Sequence, residues 1–269
     1  MIIIFSTKKR VFLYVMTVVL FVGAFQAVKG FKRRSIAVSS NEKYIAVVID
    51  DFGNDSEGTK EMVSLPIKFT GAVMPSMPYT REECELLHKN GKDVILHQPM
   101  EARSGKKEWL GGSAIMNDDD EKEAADKLIY NISQIKYCSG VNNHMGSKVS
   151  RNVKIMDSIF KGLKEKGLLY VDSMTTPDSV AEKMGERNGV TVIKRDIFLD
   201  STQDISKIEQ NLAKAADIAV KNGYCLAIGH VGAEGGRATY KAIKNKYEEI
   251  EAKNIKFVTI GELEAILKR

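Results

Sequence analysis

Cysteine, histidine and tryptophan are all scarce in this chain. Its three cysteines, Cys84, Cys138 and Cys225, are widely spaced, odd in number and form no C-x-x-C. That excludes a disulfide framework and leaves them as small buried residues, with a bridge between two of them as the alternative. No G-x-S-x-G occurs, which argues against serine catalysis from a nucleophile elbow. The glycines at 229, 232, 235 and 236 do not make a G-x-G-x-x-G after a first strand, so no nucleotide partner is expected. Asp50 to Asp55 is rich in acids but lacks the EF-hand spacing. Internal repeats and low-complexity segments are absent.

A basic binding surface is missing too, although the net charge is +5. Residues 1–34 hold seven of the 40 Lys and Arg and none of the 35 acids, so the remainder carries 33 basic residues against 35 acidic ones. A slightly acidic body excludes nucleic acid as a partner. Within residues 1–34, Val11 to Val28 carry no charge and are flanked by Lys8, Lys9 and Arg10 before and Lys29, Lys32, Arg33 and Arg34 after. This pattern predicts an N-terminal membrane anchor with the domain outside the cytoplasm, or a secreted or periplasmic protein if the leader is cleaved. Basic residues at both ends leave the orientation unsettled by charge. A polar linker over 35–43 follows, and 44–269 is expected as one α/β domain.

That domain opens with Tyr-Ile-Ala-Val-Val-Ile (44–49), an apolar run that ends in Asp50 and Asp51. A fully buried parallel strand reads this way, and two adjacent carboxylates at its tip need a cation or a shared proton. Further strands are predicted at 68–74, 93–97, 141–145, 168–172, 191–196, 224–230 and 255–258. Helical patterns intervene, such as Ile155, Met156, Ile159, Phe160 and Leu163, stopped at Gly167. About eight strands alternating with helices predict a parallel sheet or barrel. The polar stretch 101–117, which carries the sole tryptophan, Trp109, is expected as a long loop, of a kind that is usually either functional or disordered.

Asp50, Asp51, His97, His144, Asp172 and His230 all fall at predicted strand exits, and in a parallel barrel those exits meet on one face. Three of the four histidines are among them, while His88 sits in a helix beside Lys89 and reads as solvated. Carboxylate and imidazole together suit a divalent ion, zinc being the expected one, with three protein ligands and an open position for water. Asp51, His97 and His144 are the candidate ligands, with Glu101 as a substitute. Asp50 is then free to act as base and His230 as proton donor. Asn142 and Asn143 are candidates to orient ligands from behind, as is Asp172. Trp109 suits sugar stacking.

Several stretches together resemble the divergent polysaccharide deacetylases of bacteria: Val-Ile-Asp-Asp-Phe-Gly (48–53), Leu-His-Gln-Pro-Met-Glu (96–101), Gly-Val-Asn-Asn-His-Met-Gly-Ser (140–147), Val-Asp-Ser (171–173), Ile-Phe-Leu-Asp (197–200) and Ala-Ile-Gly-His (227–230). The resemblance implies a distorted (β/α) barrel of seven to eight mainly parallel strands, akin to the metal-dependent chitin and peptidoglycan deacetylases. It also implies Asp50 as base, Asp51 and His97 as ligands and His230 as general acid. Glu101 stands where that wider group has the second histidine of H-x-x-x-H, which leaves the third ligand to Glu101 or His144. Asn-Asn-His-Met-Gly-Ser stands near the place of an Arg-Pro-Pro-Tyr-Gly-type motif. The expected activity is removal of acetyl groups from a cell-envelope polysaccharide, and the alternative is a glycan-binding protein on the same fold.

Overall fold

The computed structural model describes residues 42–269, so the expected leader over 1–34 and most of the 35–43 linker lie outside the described residues. Among the described residues no helix is long and apolar enough to cross a membrane. The order is β1 (Lys43–Phe52), α1 (Thr59–Val63), β2 (Thr70–Val73), α2 (Thr80–Lys89), β3 (Asp93–Met100), α3 (Glu121–Gln134), β4 (Cys138–Met145), α4 (Val153–Lys166) and β5 (Leu169–Asp172). It continues with α5 (Ala181–Asn188), β6 (Val192–Lys194), β7 (Ile197–Phe198), α6 (Ile205–Asn222), β8 (Tyr224–His230), α7 (Gly236–Glu251), β9 (Ile255–Val258) and α8 (Ile260–Leu267).

Eight parallel strands in the order β6-β5-β4-β3-β2-β1-β8-β7 curl into a half-barrel, the distorted (β/α) barrel expected. β1 is its hub. One edge pairs with β8 from Tyr44 to Asp50; the other takes β9 along residues 43–46 and β2 along 48–52. Between the sheet's two ends the chain makes a two-residue step. Arg195 N–H donates to the Asp172 carbonyl at 3.0 Å, and Asp196 N–H donates to that of Leu226 at 2.9 Å. The strand expected over 191–196 is therefore shortened to β6, which joins β5, and β7 beyond its end joins β8.

Alternation along the strands sorts the core into two layers. Ala46, Val48, Ala72, Ile95, Val171, Ile193, Leu226 and Ile228 fill the inside of the curl, where Ile260 and Leu263 of α8 join them. Ile45, Val47 and Ile49 face the other way, into the layer that holds Phe160, Leu163, Leu212 and Ile243 of the surrounding helices. Each fully buried aliphatic or aromatic side chain contributes about 1.5–3 kcal/mol. The five apolar residues of α4 thus outweigh any difference in helix propensity. It stops as predicted at Gly167, left-handed at φ 67°, and Asn152 caps its first turn. Helix α5 had no clear signal, because only Ala181, Met184 and Gly185 are buried in it.

Candidate metal centre

The inner layer continues upward into polar residues without a change of parity. Asp50 follows Ala46 and Val48, His97 follows Ile95, and His230 follows Leu226 and Ile228, while Asn142 and His144 pair in register with His97 and Pro99. Asp50 and His230 are themselves cross-strand partners. A pleated strand aims alternate side chains at one face, so the same pattern that fills the core also builds the site.

Asp51 breaks the parity, and a bulge corrects it. The β1–β2 register shifts between Ile49 and Phe52, and Asp51 has φ 68°, the left-handed region that a non-glycine residue seldom adopts. Bulges re-aim side chains in this way, and here the bulge brings two consecutive acids to one site.

Three ligand atoms converge there. Asp51 Oδ1 is 3.3 Å from His97 Nε2 and 3.4 Å from His144 Nδ1, and the two nitrogens are 3.1 Å apart. Both imidazoles are oriented from behind. His97 Nδ1–H donates to Asn142 Oδ1 at 2.7 Å, and His144 Nε2–H donates to the carbonyl of Trp109 at 2.9 Å. Each ring therefore turns a bare nitrogen inward. Two lone pairs and a carboxylate facing one another repel unless a cation lies among them. Ligands at about 2.0–2.1 Å around a tetrahedral ion stand roughly 3.3 Å from each other. The edges of this triangle match, so Asp51, His97 and His144 fit a small divalent ion. A proton can take its place. Burial opposes charge on both groups, yet mutual hydrogen bonding and attraction raise the pKa of His97 and hold that of Asp51 below the carboxylate range.

Asp50 lies beside the triangle and is 2% exposed. Its Oδ1 accepts from Asn142 Nδ2 at 2.8 Å, so one amide joins the free carboxylate to His97. Burial pushes the Asp50 carboxyl up, against the pull of His97 and His230. A carboxylate whose pKa is raised is a better proton acceptor than an ordinary one. Opposite it, His230 Nδ1–H donates to Asp200 Oδ1 at 2.8 Å, and Asp200 Oδ2 accepts from His230 N–H and the Thr239 hydroxyl. Burial works against the imidazolium, but the Asp200 hydrogen bond and the surrounding acids raise His230 to about 10. Its Nε2 points outward, 3.4 Å from Glu234 Oε2.

The remaining candidates are placed elsewhere. Glu101 accepts from Asn117 N–H and from Lys148 Nζ, at 2.8 and 2.7 Å, and so clasps the loop over 101–117 to the exit of β4. The third corner of the triangle is His144. Asn143, on the face opposite Asn142, bonds to Met145, Thr175, Ser173 and Tyr170 and ties β4 to β5. Asp172 alternates with inward-facing Val171 and accepts from Met174 N–H. Of the three residues expected behind the ligands, only Asn142 touches one. Strand parity from His97 and its partner would have separated the two asparagines. Arg195 went unnoticed in the sequence. It donates to the Ser173 and Met174 carbonyls, lies 3.6 Å over the Phe198 ring and exerts its charge on Asp172, Asp196 and Asp50. It sits between Lys194 and Asp196 just beyond β6, so nothing in the sequence set it apart from its charged neighbours.

Comparisons with known proteins bear on the fold and the family. The chain is 33% identical over 186 residues to the uncharacterized protein YibQ of Escherichia coli K12, covering 69% of this chain and 58% of YibQ. The chain thus spans under two thirds of that relative's length. A crystal structure of an uncharacterized protein from Agrobacterium tumefaciens C58 superposes with a TM-score of 0.75 at 18% identity, covering 83% of this chain and 90% of that one. The catalytic domain of a peptidoglycan N-acetylglucosamine deacetylase from Eubacterium rectale shares the fold, with a TM-score of 0.50, 13% identity and coverage of 81% and 88%. Residues 47–263 match the sequence profile of the divergent polysaccharide deacetylases, and the chain belongs to that family.

Proposed function

We propose that this chain is a metal-dependent hydrolase of the bacterial cell envelope that removes acetyl groups from a polysaccharide. The observation that carries the reading is the convergence of Asp51, His97 and His144, flanked by buried Asp50 on one side and the His230–Asp200 pair on the other. Structural residues have no need of three inward acceptors with a base and a protonated acid beside them.

A divalent ion, zinc in this proposal, would supply Lewis acidity and lower the pKa of a water toward about 7. Asp50 takes the proton of the water that attacks the acetyl carbonyl. His230, protonated at neutral pH, gives a proton from Nε2 to the departing nitrogen or oxygen. The bond between the acetyl carbon and that atom breaks, and acetate and a free amine or alcohol leave. The charge-free segment from Val11 to Val28 supports attachment to a membrane, and a cell-envelope substrate calls for the catalytic domain outside the cytoplasm.

The test pairs metal analysis with acetate release from acetylated glycans, using the full chain and Asp50→Asn. About one tightly held ion in both proteins is expected. Turnover in the variant should fall by roughly 10²–10⁴-fold, the usual contribution of a general base. A chain that takes up no zinc, cobalt, nickel or manganese yet binds glycan would instead be a binding protein.

A further inference from the structure

Trp109 stands apart from the other exposed aromatic residues. It is the most exposed large apolar side chain among the described residues, at 59%, yet its backbone is fixed at the ligand triangle by the 2.9 Å bond from His144 to its carbonyl. Its loop is seated on both flanks. A Cβ on Gly105, which has φ 120°, would lie 2.7 Å from Met145 Cε and 3.5 Å from the indole. Farther along, Gly111 and Gly112 abut Met74 and Ser76 at the exit of β2. Lys106 Nζ stands 5.8 Å from the centre of the indole ring. A large apolar surface is thus presented to solvent by the residue whose carbonyl binds a candidate metal ligand, where burying it inward would have been favourable. The C–H faces of a pyranose ring are the chemistry that such an indole covers, next to polar groups that fix orientation.

We propose that Trp109 contacts the substrate, its indole forming a wall of the sugar subsite nearest the ligand triangle while its carbonyl orients His144, so that glycan binding and metal binding are coupled through one residue. The identity of the occupant as a glycan rests on the hydrolase reading above. By linkage, a sugar that settles the indole also settles the carbonyl. It thereby tightens the metal, and the metal tightens the sugar by the same factor.

Trp109 is the only tryptophan, so tryptophan emission reports on this residue alone. The full chain is titrated with chitotetraose and with solubilised peptidoglycan strands, with and without one equivalent of zinc. A saturable emission shift with at least one of the two glycans is expected, with half-saturation about 5-fold lower when zinc is present. By calorimetry, Trp109→Ala should weaken glycan binding about tenfold and abolish its dependence on zinc. Trp109→Phe should restore most of it, and both variants should bind zinc alone as the parent does. Absence of an emission shift with both glycans, or glycan binding unchanged in Trp109→Ala, would overturn the inference. So would zinc binding lost in Trp109→Phe, since the indole would then only prop the loop. Failure of the hydrolase reading looks different: no acetate is released although glycans still shift the emission. Acetate release with an unaltered KM in Trp109→Ala would sink the present inference alone.

Discussion

Asn142 donates to Asp50 through Nδ2 at 2.8 Å while its Oδ1 accepts from His97. Its amide can satisfy both neighbours only in this orientation, because the carboxylate accepts and the imidazole Nδ1–H donates. Asn142→Ala removes both bonds. Metal affinity should fall about 10–100-fold, as for other residues that orient a ligand from behind. Competition with a chelator for bound zinc checks this. Affinity within 2-fold of the parent would remove Asn142 from the metal site.

His144 and Glu101 separate cleanly by the same assay. His144→Ala takes away one corner of the triangle, and the metal content of the purified chain should drop from about one equivalent to little or none. Glu101→Ala should leave that content unchanged. The loss of the Asn117 and Lys148 bonds should instead speed proteolysis within residues 101–117. The opposite result, metal lost with Glu101 and kept without His144, would reassign the third ligand.

A pH dependence follows from the His230–Asp200 pair. Burial opposes the imidazolium and Asp200 more than offsets it, so the folded-state value, about 10, lies above the ordinary 6.5. The folded chain holds this proton more tightly than the unfolded chain. The stabilisation is complete below pH 6.5 and is lost as pH rises through 10. Between these values the metal-free chain should lose at most about 1.4 kcal/mol of stability per pH unit from this proton. Denaturant titrations at pH 7, 8 and 9 read the slope, and Asp200→Asn should flatten it. Equal slopes in the two proteins would mean that His230 titrates normally.

Glu83 holds the turn after Asp51 from a distance. Its carboxylate accepts from the N–H of both Gly53 and Asp55 at 2.6 Å, and the residue is buried. Glu83→Ala leaves both donors without that acceptor and should cost about 2–4 kcal/mol of stability. Zinc affinity should weaken alongside, since the turn carries Asp51. A stability change under 0.5 kcal/mol would show that water replaces the carboxylate without penalty.

Much of the fold was legible in the sequence because the strands of a parallel sheet are buried on both faces and read as apolar runs. Tyr44 to Ile49, Leu169 to Val171 and Cys225 to Ile228 all stand where the pattern put them. The ligand triangle was legible for a related reason: polar residues at strand exits converge whatever the loops do. Less legible was anything that depends on which face a residue takes. Asn142 and Asn143 are neighbours of the same type, and only the register of β3 against β4 distinguishes the one that touches His97. Nor did the sequence announce the left-handed Asp51 bulge, because no glycine marks the position itself. The Trp109 carbonyl was invisible for a plainer reason, since a backbone acceptor carries no residue code.

The three-way pairing of β1 also sets an order of assembly. Asp51, His97 and His144 come from the first four strands, whereas the Asp50–His230 pairing joins residues about 180 apart in sequence. At about 5–20 residues per second, roughly 10–40 s of synthesis separate the two ends of that pairing. A nascent chain can therefore present its whole ligand triangle while β8 and β9 are still unmade. An ion captured at that stage would brace β1, β3 and β4 against one another and favour the growing sheet over competing pairings. His230 is then the last of these residues to be made, so the chain can complete its ligand triangle before it gains the histidine that faces Asp50.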